Sequence, residues 1–164
     1  MSRAFVKETD GQDDVALPER PQSPHVNYIT PAGFERLQAQ VRELSALRNS
    51  LAEREDLGSR QQLKLVERDL GYYTERLRRA VVVQPEGQPG DRVHFGATVE
   101  VEDAEGQRTV FTIVGEDEAD AATGRISWVS PLARALLNAR VGQTVLWKRP
   151  IGDKELEIIS IGKG

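Results

Sequence analysis

Two stripes of apolar residues, each repeating at helical spacing, constrain the fold of this chain most. Steps of three and four residues keep a stripe on one face of a helix, and the strict three-four alternation of the second stripe is a heptad seam. Two matched stripes joined by a short break should pack together, so we predict an antiparallel helical hairpin over residues 28–83. The first stripe is Phe34, Leu37, Val41, Leu44, Leu47 and Leu51, and the second is Leu63, Val66, Leu70, Tyr73, Leu77 and Ala80.

Capping signals predict where the two helices begin. Thr30 is a good N-cap, and Pro31 suits the first helical position because the N–H that it lacks would be unpaired there. Gly58 breaks the pattern between the stripes, and Ser59 followed by Gln62 fits a capping box. We therefore expect the first helix to begin at Pro31 and the second to begin with Ser59 as its N-cap.

Three acids, Glu53, Glu55 and Asp56, mark the tip of the predicted hairpin. We expect them in the last turn of the first helix, where the helix dipole disfavours each carboxylate by about 0.3–1 kcal/mol at low salt. A broken local rule can mark function, and Glu53 and Asp56 are three residues apart. Arg54 and Arg60 lie close by, however, so a solvated helix end of mixed charge explains the same residues.

After the hairpin, the sequence changes to a linker and then to short alternating runs. Residues 84–91 (QPEGQPGD) predict the linker, and residues 92–164 a second domain. Glu105-Gly106 predicts a hairpin turn, and Ser130-Pro131 the start of a short helix, LARALLNA. We predict an α+β protein whose second domain is a small antiparallel sheet with one short helix. The predicted strands are His94–Val101, Arg108–Val114, Arg125–Val129, Thr144–Lys148 and Glu155–Ile161.

The composition excludes several classes of protein. The absence of cysteine excludes a disulfide framework, a thiolate zinc site and a cysteine nucleophile, and it fits a reducing compartment. No apolar run approaches the ~20 residues that span a bilayer. Residues 1–27 are polar and contain no signal-peptide core, so we expect a flexible N-terminal segment on a cytoplasmic protein. His25 and His94 have no second ligand at metal spacing, and we assign them no metal.

The formal net charge of −4 is unevenly distributed. Residues 1–27 carry 3 basic and 5 acidic groups, residues 28–83 carry 10 and 8, and residues 84–164 carry 9 and 13. A protein that binds bare duplex DNA would show a stronger basic stripe. This balance favours a protein partner, with nucleic acid nearby.

Five segments carry a resemblance to a known family. They are Tyr28–Gln40 (YITPAGFERLQAQ), Leu70–Leu77 (LGYYTERL), Phe95–Val101 (FGATVEV), Phe111–Asp120 (FTIVGEDEAD) and Gly124–Val145 (GRISWVSPLARALLNARVGQTV). The first two resemble the arms of the coiled coil in the GreA/GreB family of transcription elongation factors, and the other three resemble its C-terminal domain. The likeness covers nearly all of the chain after the N-terminal segment. It indicates a GreB-like member with a short coiled coil and some likeness to Rnk.

The resemblance implies a fold, a partner and a mechanism. The C-terminal domain would be FKBP-like and would dock on bacterial RNA polymerase at the rim of the secondary channel, which the coiled coil would enter. Acids at the tip would help to hold a metal ion at the polymerase's own active site, which cleaves backtracked RNA; carboxylates suit Mg²⁺, and the metal generates the nucleophile. The protein would then be no enzyme alone, would have no cofactor of its own beyond Mg²⁺ shared with the polymerase, and would be a monomer that contacts nascent RNA or DNA in the elongation complex.

The same resemblance makes the acidic loop and the segment after it the candidate polymerase-docking surface. At the tip, however, the sequence departs from the family, because the family's pair of an Asp and a Glu is missing. The arms are also about two to three turns short, which removes ~11–16 Å of reach. Two hypotheses follow: a factor that stimulates transcript cleavage, and a Rnk-like channel occupant that competes with Gre factors without stimulating cleavage. The candidate docking residues are Glu116, Asp117, Glu118, Asp120, Ser127, Ser130 and Pro131.

Two other classes fit less well. A peptidyl-prolyl isomerase, which an FKBP-like fold suggests, needs several aromatic walls around the proline ring. Residues 84–164 offer only Phe95, Phe111, Trp128 and Trp147, and aromatic residues in the predicted strands must also fill a core. A plain coiled-coil adaptor does not explain the ordered match beyond residue 92.

Overall fold

The structure, a computed structural model, describes residues 17–163. The chain divides into two compact units. The helical unit contains Gln38–Arg78 and the described residues up to Gln22, and the sheet unit contains Ser23–Leu37 and the chain from Arg79 onward. The predicted flexible segment of residues 1–27 lies outside the described residues as far as residue 16. Within the described part, no helix is both long and apolar enough to cross a membrane.

Two long α-helices follow the two predicted stripes. Helix α1 spans Pro31–Ala52 (22 residues) and helix α2 spans Leu57–Arg79 (23 residues), so each is about 33–35 Å long at 1.5 Å per residue. In the helical unit, Leu51 of α1 and both Val66 and Leu70 of α2 are buried, as two facing apolar stripes require. The predicted pair of long helices is therefore confirmed.

The first helix begins as the sequence predicts. The Thr30 hydroxyl accepts a hydrogen bond from the amide of Gly33 at 3.0 Å, and Pro31 is the first helical residue. The cap satisfies one of the amides that a helix N-terminus otherwise leaves unpaired. The prediction of Thr30 as the N-cap is confirmed.

The second helix begins earlier than predicted. Helix α2 starts at Leu57, and Asp56 caps it, because its carboxylate accepts hydrogen bonds from the amide of Ser59 (2.9 Å) and from the Ser59 hydroxyl (2.7 Å). The predicted cap at Ser59 is therefore wrong by three residues, and Gly58 lies inside the helix. The physical reason is that the Asp56 carboxylate has two acceptor oxygens and takes both donors of Ser59, the amide and the hydroxyl.

The sheet unit contains a five-stranded sheet. Its strands are β3 (Ala97–Glu102), β4 (Arg108–Val114), β5 (Arg125–Ser127), β6 (Thr144–Trp147) and β7 (Lys154–Lys163). They lie in the order β5-β4-β3-β7-β6. All neighbouring strands are antiparallel except β4 and β5, which are parallel. The α+β class is confirmed, but the prediction of a wholly antiparallel sheet is wrong. Two short 3-10 turns between β4 and β5 bring the chain back beside Thr112, so that β5 runs parallel to the last three residues of β4, whereas antiparallel pairing needs only a tight turn.

A second sheet, of two parallel strands, does not follow from the sequence analysis. Strand β1 (Asn27–Ile29) pairs with strand β2 (Ala80–Val82), and the amide of Val83 donates to the carbonyl of Ile29 at 2.9 Å. The heptad pattern extended the second helix to Ala80. The run of valines that follows favours an extended backbone instead, because β-branched side chains fit a strand better than a helix.

Alternate strand residues and one short helix form the core of the sheet unit. Val99, Val101 and Ile113 are at most 1% exposed, and helix α3 (Pro131–Leu136) packs against them. The Ser130 hydroxyl accepts from the amide of Ala133 at 3.2 Å, which confirms the predicted start of this helix. The helix is shorter than the predicted segment because Leu137 already leaves the helical conformation (ψ 134°), and Asn138 then adopts φ 69°, a left-handed conformation that cannot continue a helix.

Candidate functional site

The tip acids lie in the connection between the two helices and not in the last turn of α1. Helix α1 ends at Ala52, and Glu53, Glu55 and Asp56 are all exposed. This corrects the predicted position, and for Asp56 it removes the conflict with the helix dipole, because Asp56 lies at the N-terminus of α2, where a carboxylate is favoured. The hydrogen bonds from Ser59 also lower the pKa of the Asp56 carboxyl.

The tip does not fit a metal site of its own. Asp56 already uses both carboxylate oxygens to cap α2. Throughout residues 17–163, no group of three or more His, Asp, Glu or Cys side chains is placed to hold a metal ion. The tip therefore supplies three exposed carboxylates, one of which, Asp56, caps α2.

The two histidines lie elsewhere. His94 contacts the carbonyl of Phe95 through Nδ1, and His25 packs edge-on against Trp128.

The acidic loop between β4 and β5 contains two kinds of carboxylate. Asp117 and Asp120 are exposed, and the Asp120 side chain caps the second 3-10 turn by accepting from the amide of Ala122 at 3.1 Å. Glu116 is half-buried and accepts from the hydroxyl of Ser23 at 3.0 Å. The Glu118 side chain is only 3% exposed. Of these four predicted docking residues, Asp117 and Asp120 are the acids that a partner can reach.

The buried carboxylate of Glu118 is the centre of a polar cluster. Its Oε2 atom accepts from the amides of Thr30 (3.1 Å) and Gly115 (2.9 Å). Its Oε1 atom accepts from the Thr30 hydroxyl and lies 3.5 Å from a guanidinium nitrogen of both Arg36 and Arg125. Burying a carboxylate is costly unless it is paired and hydrogen-bonded. Here both oxygens are satisfied by amide, hydroxyl and guanidinium donors.

Two glycines allow the chain to approach this carboxylate. A Cβ atom placed on Gly33 would lie 2.1 Å from Glu118 Oε1. A Cβ atom placed on Gly115 would lie 2.4 Å from the carbonyl oxygen of Tyr28 and 2.9 Å from Glu118 Oε2. Neither separation is possible for real atoms, so a side chain at either position would displace its neighbours.

The remaining docking residues lie beside the acidic loop. The amide of Asp120 donates to the carbonyl of Arg125 at the start of β5, so the loop and β5 adjoin. Ser127 accepts from the amide of Val129 at 3.3 Å, and Ser130 caps α3, so both hydroxyls serve local structure. Pro131 is exposed. These residues thus lie in one continuous segment, which runs from the acidic loop to the first residue of α3.

Sequence reasoning missed the residues that surround Glu118. Thr30 and Glu118 are 88 residues apart in the chain, and no local pattern links two such distant positions. Gly33 and Arg125 carried no signal either. The sequence YITP and the acidic loop both stood in the segments of family resemblance, but the resemblance alone did not indicate that they touch.

A cavity of about 280 Å³ lies in the sheet unit beside this cluster. Its walls include Pro31, Val83, Pro85 and Val114, with Arg125 as the charged group. None of the residues that line it is aromatic. This cavity therefore lacks the walls that a proline-isomerising pocket would need.

The fold and the site define a two-unit α+β protein with a long helical pair, a mixed sheet with one short helix, and a loop with two exposed acids. A family model described as "Transcription elongation factor, GreA/GreB, C-term" matches residues 88–163. The transcription elongation factor GreB of Neisseria meningitidis (strain Z2491) is 38% identical over 151 residues, which cover 82% of this chain and 93% of that protein. The chain belongs to the GreA/GreB family.

A second sequence relative agrees with this assignment. GreA of Nitratidesulfovibrio vulgaris is 33% identical over 148 residues, which cover 81% of this chain and 92% of that protein. A solved structure of GreA factor homolog 1 (Gfh1) of Thermus thermophilus covers 84% of this chain and 99% of its own at 29% identity, with a TM-score of 0.41. The family assignment rests on the sequence relatives alone.

Proposed function

We propose that this protein is a transcription elongation factor that binds bacterial RNA polymerase and modulates elongation. The observation that carries the proposal is the near full-length match to a protein named transcription elongation factor GreB, at 38% identity over 93% of that protein. We further propose that it acts as a monomer in the cytoplasm and is no enzyme by itself. On this proposal, the RNA and DNA of the elongation complex are its neighbours.

The acidic loop is the proposed contact with the polymerase. Asp117 and Asp120 are exposed, and Pro131 follows on the same continuous segment. Exposed carboxylates next to a rigid turn suit a basic partner surface, because such charges steer association and fix its register. Glu118 is left out of this surface because its side chain is buried.

The helical pair is the proposed element that enters the polymerase's secondary channel. Glu53 and Glu55 are the exposed acids at its tip. With no fitting metal site in the described residues, any Mg²⁺ in this proposal belongs to the polymerase's active site. The chain's own part is to bring carboxylates close to that site, and the chemistry stays with the polymerase.

A second candidate function is occupancy of the channel without stimulation of cleavage, in competition with other channel-entering factors. Two observations favour it. The carboxylate of Asp56 is engaged in capping α2, and α1 has only 22 residues, which gives a helix of about 33 Å.

A stalled elongation complex with end-labelled RNA tests both candidates. Shortened RNA on addition of the protein supports cleavage stimulation, and its loss in a Glu53→Gln, Glu55→Gln double variant assigns that effect to the tip acids. Unchanged RNA together with displacement of a cleavage-active GreB supports simple occupancy. Failure of the protein to bind purified bacterial RNA polymerase contradicts the proposed function in either form.

A further inference from the structure

We infer that Glu118 is a positioning residue that holds the first turn of α1 on the sheet unit and makes no contact with the polymerase. For its activity readout this inference rests on the proposed function, but its structural readout is independent of it. The starting observation is that one short 3-10 turn, Glu116–Glu118, contains acids with opposite environments. Asp117 is exposed, whereas the Glu118 side chain is 3% exposed.

The surroundings of Glu118 match the two acceptor oxygens of its side chain. Every group that contacts its two oxygens is a donor: two amides, one hydroxyl and two guanidinium groups. A carboxylate offers acceptors alone, whereas an amide side chain of the same shape replaces one acceptor by a donor. Glutamine at this position would therefore set an N–H against another N–H or a guanidinium, whichever way the amide turned.

Thr30 transmits this contact to the helix. Its hydroxyl donates to Glu118 and at the same time accepts from the amide of Gly33 as the N-cap of α1. Arg36, one turn further along, reaches the same carboxylate oxygen. Because α1 is unbroken from Pro31 to Ala52, the contacts at its first two turns fix where the helix begins.

The close approach of Gly33 to Glu118 shows that the position of the helix depends on the position of the acid, and the reverse. The helix can come this near to the carboxylate only because residue 33 has no side chain, since a Cβ there would lie 2.1 Å from Glu118 Oε1. A flexible glutamate could normally move away from such a contact. Here its oxygens are held by five partners, so the helix and the acid must be placed together.

Amide hydrogen exchange of the full chain gives the structural test, with Glu118→Gln, Gly33→Ala and the matched control Asp117→Asn. The control removes the same charge from the same turn at an exposed position. We expect protection of the Thr30 and Gly33 amides to fall about tenfold or more in Glu118→Gln and Gly33→Ala, because both leave buried donors unsatisfied or displaced. Protection of Val99 and Ile113 in the sheet serves as the internal reference, and Asp117→Asn should match the wild type at all four amides.

Unchanged protection of Thr30 and Gly33 in Glu118→Gln overturns the inference. If that variant does not fold, Gly33→Ala, which keeps the carboxylate, supplies the same comparison, and unchanged protection there overturns the inference equally. This measurement needs no polymerase, so it decides the inference even if the proposed function fails.

A split between binding and activity is the second readout. We expect Asp117→Asn to lower the affinity for RNA polymerase. We expect Glu118→Gln to retain that affinity but, at saturation, to lose the effect on the stalled complex by about tenfold or more, as a misplaced element does. An affinity loss in Glu118→Gln as large as that in Asp117→Asn, with normal exchange at Thr30, would make Glu118 a docking contact and overturn the inference.

Discussion

The amide and the hydroxyl of Thr30 both donate hydrogen bonds to the carboxylate of Glu118. The same hydroxyl accepts from Gly33 and caps α1. Thr30 thus caps the start of α1 and also donates two hydrogen bonds to a buried carboxylate 88 residues away in the chain. The stability of the first turn and the burial of the acid are therefore coupled.

Replacing Thr30 by valine tests this coupling. Valine has nearly the same shape, but it removes the cap and leaves one donor fewer on Glu118, so we expect a loss of about 1–3 kcal/mol in the free energy of unfolding. Urea unfolding followed by circular dichroism measures it. Thr30→Ser keeps the hydroxyl and should stay close to the wild type; equal losses in the two variants would show that the hydroxyl does not matter.

The Asp56 cap predicts a dependence of stability on pH. Hydrogen bonds from Ser59 lower the pKa of Asp56, so its ionised form stabilises the folded chain above the unfolded pKa of about 3.9. That contribution should decline as the pH falls through this value and vanish below the lowered folded pKa. The measurement is the stability difference between the wild type and Asp56→Asn, taken from pH 7 down to pH 2. Asn caps less completely, so the difference should be positive at pH 7 and shrink in acid; a difference that does not change with pH would contradict the assignment.

The segment before β1 is fastened to α2 by Arg20. Its guanidinium lies 3.9 Å from the ring centre of Tyr72 and 3.1 Å from the carboxylate of Asp69, and Gln22 donates to the carbonyl of Tyr72 at 3.2 Å. Because the contact is partly exposed, we expect Arg20→Ala to cost only about 1 kcal/mol or less. The stability of Arg20→Lys should lie between those of the wild type and Arg20→Ala, since an ammonium cannot stack as a planar guanidinium does.

Thermal unfolding and the ring proton shifts of Tyr72 measure this effect. Glu19→Ala, an exposed neighbour, is the control and should leave both unchanged. Identical Tyr72 shifts in the wild type and Arg20→Ala would refute the contact.

Substitution by alanine should change the free energy of unfolding in opposite directions at Gly115 and at Gly71. Gly115→Ala would bring a Cβ within 2.4 Å of the Tyr28 carbonyl, and we expect a loss of about 1–3 kcal/mol as in other overpacked sites. Gly71 lies in α2 with nothing within 4 Å of its added Cβ, so Gly71→Ala should gain about 0.5–1 kcal/mol from helix propensity. Denaturant unfolding of the pair compares them directly, and two changes of the same sign would contradict the packing at these two positions.

Patterns that act within a few residues predicted the helices and their first cap. The stripes from Phe34 and from Leu63 follow the period of a helix, and Thr30-Pro31 and Ser130-Pro131 are local capping signals. The Asp56 cap was missed because two residues in the same turn, Asp56 and Ser59, compete for the role. The local sequence does not decide between Asp56 and Ser59 as the cap, since the outcome depends on which side chain reaches a free amide at the start of the helix.

Contacts between distant segments could not be predicted from the sequence. The pairing of β1 with β2 and the burial of Glu118 depend on residues that are far apart in the chain, and the parallel run of β5 along β4 depends on the path of the loop between them. The acidic loop looks uniform in sequence, and only its packing separates the buried Glu118 from the exposed Asp117. The local patterns predicted the α+β class correctly, but neither they nor the resemblance distinguished these two acids.

The parallel pairing of Asn27–Ile29 with Ala80–Val82 ties together the point where the chain enters the helical hairpin and the point where it leaves. Both ends of the insertion are therefore fixed to each other, whatever lies between them. Equal numbers of residues added to or removed from the two helices would leave the β1–β2 pairing and the five-stranded sheet unchanged. The length of the hairpin can therefore vary in evolution without changes in the sheet unit.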